Sequence, residues 1–170
     1  EICTAMQNIL DENPRIVVTA VGITITGLTD SVTGSWVSAT YMGVYGLPIG
    51  KRIREKFGFP VYVENECNAS AVAEKMFGLC RKTEHFMYLS VGNGIGGALF
   101  LDGKLYRGAF GAAGEVGSCR MDEIVLKKRS TRKRDTLENL ASARGITDIY
   151  IKLGGKKKID GEVPDALTIS

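Results

Sequence analysis

Two clusters in this 170-residue chain combine residue types that can do chemistry. One is acidic: Glu64 and Glu66 in Val-Tyr-Val-Glu-Asn-Glu, Glu74 further along, and Glu115 inside Gly-Ala-Ala-Gly-Glu-Val-Gly. A carboxylate at the C-terminal end of a strand in an α/β sheet lies where such folds bind ligands. There it can take a proton from a hydroxyl nucleophile or hold sugar hydroxyls by hydrogen bonds. Acid in the first turn of a helix also complements the helix dipole with no function attached, and Glu66 fits that reading equally well. The other cluster is Gly92-Asn93-Gly94-Ile95-Gly96-Gly97, set between two apolar runs. Backbone N–H groups with no side chains in the way form a nest able to cradle a phosphate. A tight hairpin with glycines for close approach explains the same pattern. No helix follows these glycines, which excludes a dinucleotide fingerprint, and no Gly-Lys-Ser/Thr marks a P-loop.

The remaining reactive residues are sparse. His85 is the one histidine, and Cys3, Cys67, Cys80 and Cys119 form no C-x-x-C pair. No tetrahedral ligand set is easily assembled from them, so no metal site and no zinc are expected. The cysteines read as reduced thiols of a cytoplasmic protein.

Composition sets wider bounds. The chain is 44% hydrophobic and 24% charged, ordinary for a globular protein of one domain or two small lobes. Its 21 glycines exceed the usual share. No apolar run approaches the ~20 residues of a membrane span, and no signal peptide is visible. The net charge of +3 is unevenly placed: Lys127 to Arg134 (KKRSTRKR) holds six of the 22 basic residues. Such a block is either a solvated loop or a contact for an anionic partner such as nucleic acid.

The elements that must position these groups can be read in order. Apolar residues at helical spacing in 1–11 predict a helix that Asn13-Pro14 stops. The β-branched run Arg15 to Ile25 predicts a strand covered on both faces. Trp36, Tyr41 and Tyr45 read as core or cleft lining, core being preferred. Leu47-Pro48 opens a helix that Gly58 ends, Pro60 to Val63 is a short strand, and a second helix runs from Asn68 to Gly78. This alternation implies a parallel or mixed sheet with helical crossovers. From Phe86 the pattern changes to hairpins, with Asp102-Gly103 as a tight turn. Thr136 to Ala143 predicts a helix ending at Gly145. Residues 1–83 then form one lobe and 84–170 another.

Four blocks in order, VVTAVGITITGLTDSVTG, VYVENECNASAVAEKMFG, YLSVGNGIGGALFLDGKLYRGAFGAAGEVG and TLENLAS, resemble the ROK family of bacterial sugar kinases and sugar-responsive repressors. The resemblance implies an α/β fold of the actin-like ATPase (ribonuclease H-like, hexokinase-type) class. It implies sugar contacts at Gly27, Asn65, Glu66, Glu115 and Glu138. The second phosphate loop falls on Gly92, Asn93, Gly94, Gly96 and Gly97. Glu66 stands where the kinases carry an aspartate as general base; the extra methylene shifts a carboxylate by about an ångström, which can cost on the order of 100-fold in rate. Ser118 stands in place of a histidine that contacts both zinc and sugar, and the basic tract replaces a cysteine cluster. The first phosphate motif would lie before Glu1 and the adenosine segment beyond Ser170, so the fold is expected to be incomplete at both ends. The Asn-Glu-x-Asn variant is more similar to the xylose-repressor branch. The resemblance therefore implies the sugar-binding domain of a regulator, dimeric, reaching DNA through a helix-turn-helix outside this chain. The alternative is a glucokinase-like sugar kinase using ATP with Mg, with Glu66 as base.

Overall fold

The computed structural model describes residues 1–121 and 136–156. These fall into two compact units, Glu1–Ala69 and Ser70–Ser170.

In the first unit, helix α1 (Ile2–Glu12) turns Cys3 and Met6 toward the core. Asn13 ends it by donating its side-chain N–H to the Ile9 carbonyl at 2.8 Å, and Pro14 prevents continuation. Strand β1 (Val21–Ile25) runs parallel to β5 (Val61–Asn65), Val21 opposite Val61 and Ile25 opposite Asn65. Strands β2 (Leu28–Asp30), β3 (Ser35–Ala39) and β4 (Val44–Leu47) make an antiparallel sheet in that order. Helix α2 (Ile49–Phe57) lays Ile49 and Ile53 on a core completed by Trp36, Ala39, Val61 and Val63. Arg54 at its end donates to the Val61 and Thr33 carbonyls, tying helix to strand and turn. Helix α3 (Glu66–Met76) begins directly at the end of β5.

The long buried strand expected over Arg15 to Ile25 is shorter and half-exposed. Only Val21 to Ile25 pair, with alternating burial, and Val17 upstream is 84% exposed. β-branched residues favour extended backbone, but they form a strand only where a partner strand reaches them. Of the three aromatic residues at 36–45, only Trp36 is core; Tyr41 and Tyr45 are exposed.

In the second unit, β6 (Phe86–Val91), β7 (Ile95–Leu101) and β8 (Lys104–Tyr106) form an antiparallel meander. Phe86 stacks on its cross-strand partner Phe100 at 4.6 Å between ring centres. The turn Asp102-Gly103 has positive φ at both residues, the hairpin geometry that matches strand twist. The single helix expected over Thr136 to Ala143 is two: α4 (Leu137–Ala141) and α5 (Ala143–Lys152). Ser142 divides them, because its hydroxyl accepts the Gly145 N–H at 3.0 Å and caps α5. Gly145 thus lies in the first turn of α5 rather than at a helix end. No helix among the described residues is long and apolar enough to cross a membrane.

Candidate functional site

The C-terminal end of β5 builds the candidate site of the first unit. Asn65, its last residue, uses both ends of its amide. The side-chain oxygen accepts the N–H groups of Cys67 at 2.8 Å and Asn68 at 3.1 Å, capping α3. The side-chain N–H donates to the Gly27 carbonyl at 3.0 Å. Asn65 therefore joins the β1–β2 turn to the start of α3. Glu64 supports it, accepting the Asn65 backbone N–H at 2.9 Å and the side chain of buried Asn68 at 3.0 Å. Glu66 follows as the first residue of α3, its carboxylate exposed. Gly27 has φ 81°, and a Cβ there would collide with the Ser38 carbonyl, so only glycine fits this turn. The preceding carbonyl, Thr26, accepts the Trp36 indole N–H at 2.8 Å.

The second unit gathers the glycine hairpin, the Glu115 loop and α4. Gly97 and Gly114 approach backbone to backbone; a Cβ on Gly97 would sit 3.0 Å from the Gly114 carbonyl. A Cβ on Gly117 would strike the Ile95 carbonyl in the same way. Part of the glycine richness is thus close packing of one loop on the other. Glu138 enters from α4: one carboxylate oxygen accepts the Ile95 N–H at 2.9 Å, and the other lies 3.6 Å from the Arg144 guanidinium. Gly94 makes room for it, since a Cβ there would meet the same oxygen at 2.7 Å. Within the hairpin, the Gly92 N–H is taken by the Gly94 carbonyl, and Gly96 and Gly97 belong to the pairing of β7 with β6. Asn93 and Gly94 keep N–H groups with no acceptor among the described residues. These two N–H groups are donors the hairpin can offer an anion.

Of the residues expected to carry function, Gly27, Asn65 and Glu66 lie together in the first unit. Glu138 lies against Gly94 and Ile95 in the second, and Glu115 sits exposed just before the short 3-10 turn Val116–Ser118. Glu74 is occupied structurally, accepting the Leu79 N–H beyond the end of α3. His85 accepts the Asp102 N–H at 3.3 Å in the β7–β8 turn. Among the described residues no group of three His, Cys, Asp or Glu could hold a metal ion. The basic tract Lys127 to Arg134 lies outside the described residues. Sequence reasoning missed the holding role of Trp36 and the ion pair of Arg144. Neither bond has a sequence signal, because each joins residues brought together only by strand or helix packing.

The chain matches the model of the ROK family over residues 1–163. The chain belongs to the ROK family. It is 37% identical over 136 residues to a xylose repressor of Caldicellulosiruptor bescii, covering 78% of this chain and 33% of the repressor. The chain spans about a third of the length of such relatives. Among solved structures it resembles a ROK transcriptional regulator, a homologue of the E. coli MLC protein. That likeness has a TM-score of 0.76 and 26% identity, and covers 93% of this chain and 41% of the regulator. It also resembles a ROK glucokinase of Streptomyces griseus solved with glucose and AMPPNP. There the TM-score is 0.69 with 28% identity, over 85% of this chain and 46% of the glucokinase. The fold is accordingly the actin-like, hexokinase-type α/β fold of this ROK protein.

Proposed function

We propose that this ROK chain is the sugar-binding part of a cytoplasmic transcriptional regulator, a sugar-responsive repressor. Residues 1–83 and 84–170 contribute partial lobes. Gly27, Asn65, Glu66, Glu115 and Glu138 are the sugar contacts. The observation that carries this reading is the 37% identity to a xylose repressor across 78% of the chain. The sugar is a pentose or hexose, whose hydroxyls suit carboxylates and amide groups. Sugar binding would bias the regulator between two states of different DNA affinity, through a helix-turn-helix elsewhere in a homodimer.

The second reading is a sugar kinase, favoured by the likeness to the glucokinase and by the exposed Glu66 carboxylate beside Asn65. In that case ATP with Mg would supply the phosphoryl group. Asn93 and Gly94 would be the hairpin donors facing phosphate, and Glu66 would accept the proton of the sugar hydroxyl.

One assay separates the readings. The full-length gene product is given ATP, Mg and a panel of pentoses and hexoses, and ADP release is followed. The regulator reading predicts sugar binding without sugar-dependent turnover. Turnover that disappears in Glu66→Gln would establish the kinase instead.

A further inference from the structure

We propose that Trp36 is a positioning residue for sugar recognition: its indole fixes the Thr26–Gly27 peptide so that the Gly27 N–H is presented to a sugar hydroxyl. The inference rests on the reading above that this turn faces a sugar.

The geometry lies within the first unit. Two consecutive carbonyls of the β1–β2 turn are held from different strands, Thr26 by the Trp36 indole of β3 at 2.8 Å and Gly27 by the Asn65 amide of β5 at 3.0 Å. Ser38 and Ala39 of β3 crowd the turn on the side where a Gly27 Cβ would stand. A trans peptide is planar, with its C=O and N–H pointing in opposite directions. Holding the Thr26 carbonyl toward Trp36 therefore directs the Gly27 N–H away from it. That N–H has no acceptor among the described residues. Trp36 is 9% exposed and packed in the core, so the direction it imposes is rigid. A core role alone requires the ring; it does not require the indole N–H to find the Thr26 carbonyl.

The test removes the N–H and keeps the ring. Site-specific incorporation of β-(3-benzothienyl)alanine at position 36 of the full-length gene product replaces N–H by sulfur in the same shape. Trp36→Phe serves as a second variant. Thermal melting, calorimetric titration with D-xylose and D-glucose, and the NMR order parameter of the Gly27 amide without sugar are measured on each. The expected result is an analogue that melts near the wild type, binds the preferred sugar about tenfold more weakly, and has a lower Gly27 order parameter. A Kd within twofold of wild type overturns the proposal. If the wild type takes up no sugar, the sugar reading fails and this role fails with it. An unchanged Gly27 order parameter in the folded analogue overturns the positioning alone, whatever the sugar result.

Discussion

Replacing Asn65 with alanine removes three hydrogen bonds that no neighbour can replace. Two are N-cap bonds, from Cys67 and Asn68, and the third holds the Gly27 carbonyl. Loss of an N-cap side chain costs about 1 kcal/mol, and a neutral hydrogen bond in a half-buried setting costs about the same again. The sum is about 2 kcal/mol. For a chain of this size that lowers the melting temperature by roughly 4–8 °C. Asn65→Asp separates the two parts. A carboxylate still caps α3 and is favoured by the helix dipole, but it cannot donate to Gly27 and opposes that carbonyl. Asp should therefore recover about half of the lost stability while leaving the turn unheld. Circular-dichroism melts of the three proteins, with Gly27 carbonyl shifts from NMR, check this. An alanine variant within about 0.5 kcal/mol of wild type, below the ~1 kcal/mol of one cap, would refute the reasoning. So would an Asp variant as unstable as alanine.

Other expectations follow from the same contacts. Gly114→Ala puts a Cβ against the Gly97 carbonyl at a residue with φ 92°; it should be among the most damaging single changes, read as loss of soluble protein or a collapsed melt. Glu138→Gln keeps an acceptor for the Ile95 N–H and loses only the ion pair to Arg144, which is 62% exposed; it should cost less than about 1 kcal/mol. Glu138→Ala orphans a buried donor and should cost about 1–3 kcal/mol, with faster amide exchange at Ile95. Asp30 titrates below its ordinary value because the Thr33 hydroxyl, then the Thr33 and Val32 N–H groups, bond its ionised form. A lowered pKa gives a contribution complete above the ordinary value of 3.8 and lost as pH falls through the lowered one. Thr33 amide protection should hold from neutral pH to about 4 and then fall, and Asp30→Asn should abolish the pH dependence.

Some of this was legible in the sequence for physical reasons. Helix α2 and the β6–β7–β8 hairpins carry Pro48, Gly58 and Asp102-Gly103, whose backbone restrictions act locally. The split between α4 and α5 was not legible, because Ser142 works as a cap only when the chain bends to offer the Gly145 N–H. Strands β2 to β4 were missed because they are short and their aromatic residues divide between core and surface. The glycines of 92–97 read as a phosphate nest or a tight hairpin, and only packing reveals that Gly97, Gly114 and Gly117 let one backbone lie on another. Gly27, Asn65 and Glu138 came from family resemblance. Their bonds to α3, to the turn and to Ile95 depend on register, which no local pattern encodes.

The central claim is that this ROK chain binds sugar as a sensor rather than as a kinase. The most direct measurement is calorimetric titration of pentoses and hexoses into the full-length gene product, paired with ADP detection in the same samples after ATP and Mg are added. The account predicts saturable heat for at least one sugar, weakened in Asn65→Ala, and ADP release that does not depend on sugar. Sugar-dependent ADP release lost in Glu66→Gln, or no heat with any sugar, would contradict it.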